Sequence, residues 1–111
     1  MKISDLIQLE LFKLVNDGNN TEREISAVYC CDLLSIAMGK MPAGSAWVTV
    51  MSNINTLAVA SLADASCIIL AEGCHLDVNG LAKAREQGIT VFETELPVFD
   101  AALAIYKALN A

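Results

Sequence analysis

From residue 45 onward, apolar and polar residues arrive in blocks. Ala46-Trp47-Val48-Thr49-Val50, Ser66-Cys67-Ile68-Ile69-Leu70-Ala71 and Ile89-Thr90-Val91-Phe92 are short and almost continuously apolar. Runs of that length, rich in β-branched residues, predict strands covered on both faces. Each is followed by polar punctuation and then by a helical stretch. Ser52-Asn53-Ile54-Asn55 is a capping cluster ahead of a small-residue helix over Thr56 to Ala63. The loop Glu72-Gly73-Cys74-His75 precedes a helix over Val78 to Gln87, with Asp77 as its cap and Gly88 as its stop. Pro97 suits the first turn of a last helix reaching Leu109.

The earlier part is less regular. Ser4 is expected to cap a short helix to about Leu9, and Leu11 to Val15 predicts a strand. Asn16-Asp17-Gly18-Asn19-Asn20 tolerates left-handed backbone and predicts a turn or exposed loop. A strand over Glu24 to Cys30 follows, and Asp32 is placed to cap a helix over Leu33 to Gly39, which Gly39, Pro42 and Gly44 close. Three consecutive strand-to-helix units predict an α/β fold with a mainly parallel sheet and helices packed on it. No repeat, low-complexity tract or linker interrupts the chain, so residues 1–111 are expected to form a single domain.

Composition sharpens this picture in three ways. The apolar fraction, 55% of 111 residues, exceeds the usual share and suggests a self-associating surface, with a homodimer as the expected state. The last helix, with little charge from Pro97 to Leu109, is the expected surface. Thirteen acidic against 7 basic residues give a net charge of −6, which argues against nucleic acid as a partner, because phosphates need clustered Lys and Arg. Glu10 and Lys13 interrupt any signal-like apolar stretch, and no uncharged run is long enough for a membrane span. A cytoplasmic location with reduced Cys30, Cys31, Cys67 and Cys74 is therefore expected.

The segments Tyr29-Cys30-Cys31-Asp32-Leu33-Leu34-Ser35, Ala46-Trp47-Val48-Thr49-Val50, Asn55-Thr56-Leu57-Ala58-Val59-Ala60 and Cys67-Ile68-Ile69-Leu70-Ala71-Glu72-Gly73, in this order of elements, resemble the DRTGG domain in its small stand-alone form. The resemblance spans almost the whole chain. It implies a fold like the N-terminal domain of HPr kinase/phosphorylase and a regulatory or ligand-sensing role, since other members accompany CBS domains or phosphotransacetylase modules. It implies no enzyme, and the kinase part of HPr kinase is absent. The eponymous Asp-Arg-Thr-Gly-Gly string is also absent, its turn reading Met51-Ser52-Asn53-Ile54-Asn55, without a basic residue. Stand-alone members usually carry a His near the position of Asn53.

In a parallel sheet, ligands bind beyond the carboxyl ends of the strands, where helix starts present free amides. That rim is expected to gather Ser52, Asn53, Asn55, Gly73, His75 and Thr94, with Glu72, Cys74 and Glu93 beside them. Together they suggest a shallow polar pocket for a nucleotide or phosphorylated metabolite. Ser52, Asn53 and Asn55 also read simply as helix caps, and lone His75 as surface. Cys30, Cys31, Cys74 and His75 include metal-ligating types, but adjacent strand residues point apart and no Cys-x-x-Cys is present, so no metal is expected. No nucleophile elbow, phosphate-cradling glycine loop or paired-carboxylate signature points to catalysis or to a cofactor. The competing reading is an interaction module that docks on a larger, redox-type enzyme without any small ligand.

Overall fold

A computed structural model describes all 111 residues. The elements run α1 (Ile3–Gln8), β1 (Lys13–Asn16), β2 (Ala27–Cys30), α2 (Leu34–Lys40), β3 (Ser45–Thr49), α3 (Ile54–Leu62), β4 (Cys67–Leu70), α4 (Val78–Gln87), β5 (Thr90–Glu93) and α5 (Val98–Leu109). Five strands form one sheet in the order β1-β5-β4-β3-β2. Strands β2 to β5 are mutually parallel, and β1 closes one edge antiparallel to β5. This is the mainly parallel α/β architecture that the blocks of apolar residues predict.

The sheet is buried on both sides because its strand residues alternate between two cores. Ala46, Val48, Cys67, Ile69 and Phe92 join Ile3 and Leu6 of α1 and Ala101 and Ile105 of α5. Trp47, Ile68, Leu70 and Val91 meet Ala37 of α2, Leu57 and Ala60 of α3, and Ala84 of α4. The three crossover helices share one face because the parallel strands lie side by side in chain order, and right-handed crossovers then return on the same side. Trp47 is fully buried, and its indole N–H donates to the carbonyl of Cys31 at 3.0 Å.

Several local expectations are corrected. Ser4 does not cap α1; the Asp5 carboxylate accepts the Lys2 N–H at 2.8 Å, so the acid of the first turn reaches back to the residue before the helix. The strand expected from Glu24 begins at Ala27, because residues 23–25 instead hydrogen-bond to the N-terminal segment through Ile3 N to Arg23 O and Ile25 N to Met1 O. Asp32 does not cap α2, whose start carries Leu33 with no side-chain cap. Its carboxylate turns to the neighbouring strand instead, accepting from Thr49 Oγ1 at 2.7 Å and Val50 N at 3.0 Å.

The Asn16 to Asn20 loop is only partly exposed. Asn16 is buried and donates to Ile89 O, Gly18 N donates to Thr90 Oγ1, and Thr90 in turn donates to Asn20 Oδ1. Gly18 is required there, since a Cβ at this position would overlap the backbone of Gly88 and Ile89. Asp77 and Gly88 bound α4 as expected: the Asp77 carboxylate accepts from Gly80 N at 2.7 Å, and Gly88 is left-handed at φ 66°.

Candidate functional site

The parallel register brings the carboxyl ends of β3, β4 and β5 to one rim. The turns after β4 and β5 are directly bonded: Glu72 N donates to Leu96 O, Gly73 N to Thr94 O, and Thr94 N to Leu70 O. Consecutive left-handed residues, Glu72 at φ 60° and Gly73 at φ 75°, make that sharp turn. The start of α4 packs under the turn after β3, close enough that a Cβ on Gly80 would lie 3.5 Å from Ser52 O.

The expected site residues separate into two groups along this rim. Ser52, Asn53 and Asn55 surround the start of α3. Asn53 is its cap, with Oδ1 accepting from Asn55 N at 2.9 Å and Thr56 N at 3.3 Å. Gly73, His75 and Thr94 form the second group. His75 and Thr94 line a cavity of about 450 Å³ together with Glu10, Lys13, Glu93 and Glu95, and Gly73 packs against the Glu95 carboxylate.

Glu93 organises this second group. It ends β5 almost fully buried, and its two carboxylate oxygens meet His75 Nδ1 at 2.7 Å and Leu76 N at 3.1 Å. The contact occupies Nδ1, so Nε2 is the ring atom left for a ligand. The His75 side chain is 65% exposed.

Carboxylates recur around the rim, each on a backbone amide. Asp32 takes Val50 N, Glu72 takes Val98 N at the start of α5, Asp77 takes Gly80 N at the start of α4, and Glu93 takes Leu76 N. Four rim donors, two of them at the starts of α4 and α5, are thus satisfied by the chain's own negative charge. The start of α3 differs, being capped by a neutral carboxamide. In its first turn, Thr56 is buried with a hydroxyl that has no partner. Asp32 and the buried Glu93 are the rim residues that sequence reasoning missed or underweighted; a lone acid ending an apolar strand was the available signal for Glu93.

The cysteines are dispersed. Cys67 lies inside the core, where burial pushes its thiol up to about 12, and partial desolvation followed by the Asp32 charge raises that of Cys30. No cluster of three or more His, Cys, Asp or Glu side chains has metal-binding geometry. No helix is long and apolar enough to cross a membrane.

No protein-family model and no curated protein sequence matches the chain. Among solved structures it is similar to the CBS and DRTGG domains of the regulatory region of Clostridium perfringens pyrophosphatase, crystallised with the activator diadenosine tetraphosphate. The TM-score is 0.61 at 18% identity, and the match covers 74% of this chain and 36% of that one. This likeness shows the fold, a helix-covered and mostly parallel α/β sheet with a structural neighbour of the DRTGG type.

Proposed function

We propose that this chain is a DRTGG-type regulatory domain without catalytic activity, which senses a small metabolite or nucleotide at the carboxyl rim of its sheet. The observation that carries this reading is the shared fold with a regulatory region that holds a nucleotide activator. The rim adds a chemical argument about how such a ligand would lie. Its phosphoryl or other anionic end belongs at the start of α3, beside Ser52, Asn53 and Asn55, because that helix start is capped by a neutral carboxamide whereas the starts of α4 and α5 carry the Asp77 and Glu72 carboxylates. Gly73, His75 and Thr94 offer polar groups to the rest of the ligand, with the His75 ring held by Glu93.

A thermal-shift panel of nucleotides, phosphorylated metabolites and metal ions tests this. A ligand that binds only the folded chain raises its melting temperature by mass action, adding about 4 kcal/mol at a thousandfold its Kd. No shift with any member of the panel would favour the docking reading, which has its own support in apolar side chains left in solvent, Phe99 at 71% and Val78 at 85% exposure.

A further inference from the structure

We propose that a second copy of this chain docks on the outer face of α5, the two helices packing antiparallel about a two-fold axis that crosses them near Leu103. Ala101 and Ile105 turn one side of α5 into the core, and Val98 and Ala102 pack beside them. On the other side Phe99, half-buried Leu103 and Tyr106 follow one another at spacings of four and three residues, the repeat of a helix–helix seam. Phe99 is 71% and Tyr106 58% exposed, so the stripe has no cover within its own chain.

Charge selects the occupant and its direction. Of the 12 residues of α5, only Asp100 and Lys107 are charged. Both are exposed, and neither forms an ion pair within the chain. They stand two helical turns apart on the same flank of the stripe, separated by roughly 10 Å along the axis. A two-fold axis lying across the helices reverses the partner end for end but keeps each flank on its own side. Asp100 then meets Lys107 of the partner subunit, and Lys107 meets the partner's Asp100.

The face is therefore its own complement, acid at one end, base at the other and apolar between, as an isologous contact requires. A parallel pair would exchange the flanks, leave both charges without an opposite, and set like ends of two helix dipoles side by side. The helix also carries no net charge in a chain of net charge −6, so two acidic copies approach here with little repulsion.

Sedimentation velocity across a wide concentration range tests the assignment, with circular dichroism to establish that each variant is folded. The wild-type chain is expected to dimerise. Phe99→Glu, an exposed change in a first turn that favours acids, is expected to be a folded monomer. Asp100→Lys and Lys107→Asp, each alone, put two like-charged pairs into the contact and are expected to weaken the dimer roughly tenfold. The double variant restores opposite charges and is expected to recover the wild-type association. A wild-type monomer at the highest concentration overturns the proposal. So does a dimer that persists in folded Phe99→Glu, which would place self-association on another surface. Single charge variants that dimerise as tightly as wild type, or a folded double variant no tighter than the singles, overturn the antiparallel pairing.

Discussion

At the amino ends of the parallel strands, Asn16, Asn20, Ser66 and Thr90 turn inward and bond to one another or to backbone; at the carboxyl ends, Ser52, Asn55, His75 and Thr94 stand at the surface with bonding capacity to spare. The residue types are nearly the same. What differs is the backbone around them. The amino end is crossed by the Asp17 to Asn20 loop, which seals it through the close approach of Gly18 to Gly88, whereas the carboxyl rim is left open by the sharp Glu72-Gly73 turn. Polar composition therefore does not distinguish a packed loop from a binding rim, but the covering segment does.

This contrast is open to test at both ends. The largest effect is expected at the seal: Gly18→Ala forces a Cβ into backbone that has no cheap way to move, and should cost about 3 kcal/mol in chemical denaturation. Next is Asn16→Ala, which leaves the buried Ile89 carbonyl without its donor and should cost about 2 kcal/mol, with no effect on ligand binding. At the open rim, Asn53→Ala removes a helix cap and should cost about 1 kcal/mol, while Asn53→Asp keeps the cap. The pair sharpens the comparison, because Asn53→Asp should retain stability yet lose any thermal shift produced by an anionic ligand. A loss of stability without loss of that shift would separate the cap from the proposed site.

The smallest effect concerns the thiols. Buried Cys67 should resist alkylation in the folded chain at neutral pH while Cys30, Cys31 and Cys74 are modified, as read by intact-mass spectrometry. Burial raises the Cys67 thiol from 9.0 to about 12, so its protonated form favours the folded state. That contribution is complete below about pH 9 and fades as pH climbs toward 12, because the unfolded chain ionises first.

The elements with local causes were legible in the sequence. β3, β4 and β5 follow from continuous apolar runs, and α4 from Asp77 at one end and Gly88 at the other, each acting within a few residues of its own position. Features that depend on distant partners were not. Asp32 has the sequence context of a cap, but its hydrogen bonds come from Thr49 and Val50 across the sheet. Glu24 and Ile25 carry strand-like residues, yet their partner is the segment at Met1 and Lys2 rather than β3. The rim could be located from the order of strands and helices, but its division into a neutral group at α3 and a carboxylate-organised group at Glu93 depends on contacts across the fold.

The most direct test of the carboxyl rim as a ligand site is to map backbone amide shifts by two-dimensional 1H–15N NMR while titrating a nucleotide that scores in the thermal-shift panel. The account predicts shifts concentrated at Ser52 to Thr56, Gly73 to His75 and Thr94, with the Asn16 to Asn20 loop unmoved. Shifts confined to that loop or to α5 would contradict it.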